Sequence, residues 1–239
     1  MTSIQFKAST DIASEPVDQA VLKGSLFKMT TSDRLKLGKG PSFTLQVGEA
    51  IVARSIPKRA AMGMSVFFNE ALSKHTRSST IMLNPAEVSE QHVRVLIDYV
   101  VCNAKTKSPF SIRAPATLCE LVDLYRHAKS FGMSIPAGDL RSKILDHLRI
   151  HTSISYVALE CFIKLPASDV CYQAVVRKFE GLVHVGCIDG NQEWDSWLSG
   201  HPQFAADMKT WQTERRKLAG ERRQRQKKLD WEKDFPPLA

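Results

Sequence analysis

Between Phe43 and Leu148 the chain lays out a series of short elements, and their order limits the folds open to it more than any single motif does. Phe43, Leu45 and Val47 alternate with Thr44 and Gln46, and Gly48-Glu49 offers a turn before Ala50-Ile51-Val52-Ala53, which predicts a β-hairpin. Pro57 suits the first turn of a helix, where its missing N–H costs nothing. Ser65 is the expected N-cap of a helix from Val66 to Leu72, with Phe67, Phe68 and Leu72 on one face. Thr80-Ile81-Met82-Leu83 predicts a third strand, closed by Asn84-Pro85. Ser89 is placed to cap the next helix, where Val93, Leu96, Ile97, Val100 and Val101 recur at three- and four-residue spacing. Cys102 to Pro115 is expected to be a loop with a short edge strand at Phe110-Ser111-Ile112. Leu118, Leu121, Val122, Leu124, Tyr125, Ala128 and Phe131 then predict a helix ending at Gly132, and another is expected from Gly138 to His147. Three more helices are expected over 155–164, 168–182 and 194–211.

The length of 239 residues, with 43% hydrophobic content, suffices for one sizeable core with segments to spare. The pattern therefore divides into a flexible arm over 1–40, an α/β (α+β) domain over 41–150, a helical extension over 151–212 and a basic, partly disordered tail over 213–239. The domain is expected to hold a small three-stranded sheet flanked by helices. No run of about 18 apolar residues occurs, and the first residues lack the apolar stretch of a secretory signal, so a nuclear or cytoplasmic location is expected. Cys102, Cys119, Cys161, Cys171 and Cys187 are odd in number, widely spaced and mostly set among apolar neighbours, which suits buried thiols. Of the net charge of +8, the stretch from Lys209 to Lys233 contributes +6, through ten Lys or Arg against four acidic residues. The charge thus describes an appendage and says little about the partner of the folded part.

The series Phe43-Thr44-Leu45-Gln46-Val47-Gly48, Ser65-Val66-Phe67-Phe68, Ile81-Met82-Leu83 with Val88-Ser89, Leu96-Ile97-Asp98-Tyr99-Val100 and Leu124-Tyr125-Arg126-His127-Ala128-Lys129-Ser130-Phe131-Gly132-Met133 resembles a BTB/POZ domain of the fungal type. The resemblance covers about 105 of the 239 residues and rests on order and spacing together. It implies a non-enzymatic protein-protein interaction module that self-associates as a homodimer or acts as an adaptor. The interface would come from apolar surface left over on the hairpin and the first helix. Pro57-Lys58 stands where many members carry His-Lys. Some members recruit a cullin ubiquitin ligase, for substrate recognition, through a hydrophobic-x-acidic element near the start of the fourth helix, and Leu118-Cys119-Glu120 occupies that place. Core packing of Leu118 is the competing reading.

Motifs that carry chemistry are weak by comparison. Gly63-Met64-Ser65-Val66-Phe67 departs from the nucleophile-elbow pattern at its last position, so Ser65 is read as a cap. His147 and His151 have metal-ligand spacing on a helix but lack a third ligand, and Gly38-Lys39-Gly40-Pro41-Ser42 lacks the spacing of a phosphate loop. Cys119 and His127 sit eight residues apart, on different faces of one helix. No cofactor, metal, small-molecule substrate or membrane contact is expected. Trp194, Trp197, Phe204 and Trp211 are read as helix packing in preference to a stacking platform.

The tail carries Arg215-Arg216-Lys217 and, further on, Arg222, Arg223, Arg225, Lys227 and Lys228. A solvated helix with these clusters can contact phosphates, act as a nuclear import signal, or serve as a charged solubilising element. Nucleic acid is therefore a second partner class, with the chain acting as a nucleic-acid-associated regulator. Phe235 and Leu238 bracket two prolines, a pattern that suits a short docking peptide.

Overall fold

The period-two alternation does build strands, and one more than the three expected. In chain order they are β1 (Ile4–Ala8), β2 (Ser42–Val47), β3 (Ala50–Pro57) and β4 (Ser78–Leu83), arranged β1-β4-β2-β3. This computed structural model describes residues 4–8, 29–75, 77–107, 110–151, 153–188 and 191–234. The chain divides into two compact units, Met1–Asp146 and His147–Ala239.

In the first unit, β2 and β3 form the expected antiparallel hairpin, turning at Gly48, whose φ of 58° lies in the left-handed region that glycine enters at little cost. β2 and β4 pair in parallel, with Leu45 opposite Ile81 and Val47 opposite Leu83. Parallel neighbours need a crossover. Helix α1 (Thr31–Leu37) precedes the hairpin, and α2 (Lys58–Met64) and α3 (Val66–Lys74) make the crossing. β1 adds a fourth strand, antiparallel to β4. Both β1 and α1 come from the segment expected to be a flexible arm. Ile4, Phe6 and Ala8 alternate with Gln5 and Lys7, a signal of five residues that predicts no strand until another edge is there to pair with it. Helix α1 is tied down by close approach: a Cβ on Gly38 would lie 2.6 Å from the Ala104 carbonyl oxygen. Buried Arg34 donates from Nη2 to the Lys107 carbonyl at 2.6 Å.

Helices α4 (Glu90–Lys105), α5 (Leu118–Ser130) and α6 (Ser134–Ile150) follow. The stripe Val93, Leu96, Ile97 and Val100 is fully buried, as are Phe43, Leu45, Ile56, Phe68, Ile81 and Phe131. Each such side chain contributes about 1.5–3 kcal/mol on leaving water. Phe68 anchors the core, with ring centroids 5.7 Å from Phe43 and 5.6 Å from Phe131. Two local expectations are corrected. Phe110-Ser111-Ile112 is not a strand; instead the Asn103 side chain donates to the Phe110 carbonyl at 3.0 Å and accepts from the Phe110 N–H at 3.0 Å, pinning the loop as a strand partner would. Ser89 stands at the N-cap of α4, but its side chain makes no capping bond.

The second unit holds α7 (Tyr156–Phe162), α8 (Val170–His184), α9 (Gln192–Ser199) and α10 (Pro202–Asp234). Ser155, Asp169 and Asn191 cap the first three through side-chain oxygens. The single helix expected over 194–211 is two, because Gly200 ends α9 and Pro202 opens α10 in the one helical position that tolerates it well. Helix α10 is continuous across 212 and 213, where a separate tail was expected to begin. Trp194 and Phe204 are buried and edge-on to each other, with Trp194 stacked 5.0 Å from Phe179, which is core packing rather than a stacking platform. Of the cysteines expected to be buried, Cys161 and Cys171 are buried and Cys102 is half-buried, whereas Cys187 is exposed. Among the described residues no helix is long and apolar enough to cross a membrane.

Candidate functional site

The start of α5 holds the first pair of predicted site residues. Thr117 caps the helix, its hydroxyl accepting from the Glu120 N–H at 3.2 Å and donating to Glu120 Oε2 at 3.0 Å. Glu120 is thus engaged at its own helix terminus, where a carboxylate also meets the positive end of the helix dipole. Leu118 is only half-buried, so the core reading does not use it up. The two residues occupy one helical turn, with the aliphatic side chain partly accessible.

Further along α5, His127 acts structurally. Its Nδ1 lies 2.7 Å from the Asp123 carbonyl and its Nε2 lies 3.1 Å from the Ser89 N–H. Those partners require a neutral ring that donates from Nδ1 and accepts at Nε2. His127 therefore satisfies the Ser89 N–H at the start of α4, where the Ser89 side chain itself makes no capping bond. Burial holds its pKa below the usual histidine value, and burial does the same to His92, whose ring lies 5.1 Å away. No sequence signal links residue 89 to residue 127, because the contact joins two helices.

The junction of α3 with α5 is closed in a similar way. Ser65 is buried, its hydroxyl accepting from the Phe68 N–H at 3.1 Å and donating to the Phe131 carbonyl at 2.7 Å. The proton and one lone pair are engaged in a buried setting, so this serine ties the start of α3 to the end of α5. Gly132 follows at φ 62°, and a Cβ there would fall 2.7 Å from the Val66 Cβ. Val66 itself is 58% exposed.

The apolar surface expected on the hairpin and first helix is redistributed. Helix α2 is largely buried, through Ala60, Ala61, Met62 and Met64. What remains lies on β3, at one end of the strand order, where Ala50, Ile51, Arg54 and Ser55 are exposed. Ser55 has φ 54°, and the β2–β3 register shifts twice, so this strand is bent and carries a charge, both of which blunt open-ended pairing.

In the second unit the basic residues fall into two kinds. Arg215 is drawn into packing, forming an ion pair with the buried Glu180 on α8. Arg216, Lys217, Arg222, Arg223, Arg225 and Lys227 are exposed along α10. Lys228 lies on the helix, but its side chain is outside the described residues, as are Phe235 and Leu238 altogether. The His147 and His151 rings lie tilted by 32° with centroids 4.1 Å apart, and no third ligand joins them among the described residues. An open depression is lined by Tyr156, Asn191, Glu193 and Trp197. The Trp197 indole donates to Glu160 Oε1 at 2.7 Å while His201 stacks on it at 4.1 Å, so that ring is held in place from two sides.

The sequence matches no family model, and neither the curated proteins nor the solved structures show a match to the chain.

Proposed function

We propose that this chain is a non-enzymatic protein-protein interaction module of the BTB/POZ type, working through self-association or as an adaptor for a cullin ubiquitin ligase. The observation that carries the proposal is the order of elements in the first unit: hairpin, Ser65-capped helix, third strand and two amphipathic helices, in the sequence implied by the resemblance. Binding would draw on Ile51 and Val66 as exposed apolar residues, with Arg54 at the rim of the hairpin. Adaptor activity would use Leu118 and Glu120.

Sedimentation of the full chain at about 50 μM, well above the Kd of a functional dimer, and capture of purified cullin test the two modes. Dimers, or cullin capture lost in Leu118→Asp, are the expected results. A monomer that also fails to hold cullin removes the proposal.

A second reading, a nucleic-acid-associated regulator located in the nucleus or cytoplasm, is favoured by one observation. Arg216, Arg223 and Lys227 are exposed and recur at helical spacing on α10, which would set them along a phosphate backbone. Duplex binding that weakens with salt at a slope of several log units, and disappears when 209–233 is deleted, is what this reading requires.

A further inference from the structure

Helix α10 carries a seam that is used along its first half and open along the next. Phe204, Met208, Trp211 and Arg215 recur at alternating four- and three-residue spacing, the spacing of a helix-helix seam. Three contacts show what this seam does. The Tyr172 hydroxyl donates to Asp207 at 2.6 Å, the Arg177 guanidinium sits 3.8 Å over the Trp211 ring, and Arg215 pairs with Glu180. The contacts climb both helices in the same direction, so α8 and α10 run parallel. Phe204 and Met208 are buried at the base of the seam.

Helix α8 ends at His184, one turn past Glu180, while α10 continues to Asp234. The same alternation then places Leu218, Arg222 and Arg225 at the next seam positions, and by spacing alone it reaches Leu229. Leu218 is 50% exposed, and both arginines are exposed. The seam thus outruns its cover with an apolar position followed by two cations.

We propose that the open seam at Leu218, Arg222 and Arg225 docks an amphipathic helix of a partner protein, with carboxylates facing the arginines and an aliphatic residue facing Leu218. Charge decides the occupant. The last covered arginine of the seam, Arg215, is met by a carboxylate on a parallel helix, so the molecule already contains the pairing required about two turns further on. A second copy of this chain is a poor occupant, because alignment of two seams in either direction sets arginine against arginine. A nucleic acid offers nothing to Leu218, and the stripe Arg216, Arg223 and Lys227 that suits phosphates lies on a different side of the helix.

The test uses the full chain at physiological salt with two synthetic helical peptides of about four heptads, both with leucine on the seam. One carries glutamate opposite residues 222 and 225 and the other lysine, and a duplex of about 20 base pairs serves as competitor. The glutamate peptide is expected to bind and the lysine peptide not to bind. Arg222→Glu with Arg225→Glu should weaken the glutamate peptide by about tenfold or more and confer binding of the lysine peptide, whereas Arg216→Glu with Arg223→Glu should change affinity by less than about threefold. All four positions are exposed, so helix content by circular dichroism should be unaltered in both variants. Failure of the glutamate peptide to bind, equal weakening by both pairs of reversals, or tight duplex binding without peptide binding would each overturn the proposal.

Discussion

Replacing Ser65 with alanine isolates the tie between α3 and α5. The substitution removes two bonds at once: the cap on the Phe68 N–H at 3.1 Å and the donation to the Phe131 carbonyl at 2.7 Å. A lost N-cap costs about 1 kcal/mol. The second bond is buried and costs about another 1 kcal/mol. The Phe131 carbonyl retains the Phe67 N–H at 3.3 Å and is not orphaned, which keeps the total near 2 kcal/mol and not higher. Ser89→Ala is the matched comparison, since Ser89 is also an N-cap serine but its side chain makes no capping bond, and the expected change is within about 0.5 kcal/mol. All four tryptophans lie in the second unit, so indole fluorescence cannot report on this junction. Hydrogen exchange of the peptide containing residues 66–72, read together with urea unfolding followed by far-ultraviolet circular dichroism, can. Equal effects from Ser65→Ala and Ser89→Ala would refute the reasoning, because both would then reflect only intrinsic cap preference.

Gly132→Ala should destabilise the first unit by about 1–3 kcal/mol, since it combines a left-handed φ with a Cβ placed 2.7 Å from that of Val66; a thermal scan against wild type reads it. Acid should act through His127. Its folded pKa lies below 6.5, so the unfolded chain binds the proton more readily, and the associated stability is complete above pH 6.5 and declines as pH falls below that value. Urea midpoints measured from pH 7.5 down to pH 5 should show this slope, reduced in His127→Gln. Arg215→Ala strips the partner from buried Glu180 and should cost about 1–2 kcal/mol, less than a fully buried pair because Arg215 is itself 37% exposed. Glu180→Gln should cost less than Arg215→Ala, and chemical denaturation followed by tryptophan fluorescence distinguishes them.

Local pattern determined a good part of this protein. The hairpin at 42–57, the Ser65 cap, the third strand and the buried stripe of α4 follow from alternation, helical spacing and capping chemistry, all of which act within a few residues. The break between α9 and α10 is local as well, written in Gly200 and Pro202, and the seven-residue spacing of α10 is visible in sequence once the helix is known to be continuous. Tertiary structure alone decided the rest. Strand β1 exists because β4 has an open edge, His127 satisfies the Ser89 N–H at the start of α4 from another helix, Asn103 stands in for a strand partner to Phe110, and Glu180 recruits Arg215 from the basic cluster while leaving Arg222 and Arg225 exposed. Asn103 and Phe110 lie only seven residues apart, but in the other cases the deciding group is distant in sequence from the residue it satisfies. Period and propensity state which face of an element is apolar, but a hydrogen bond or ion pair is settled only when folding brings its second partner within about 3 Å.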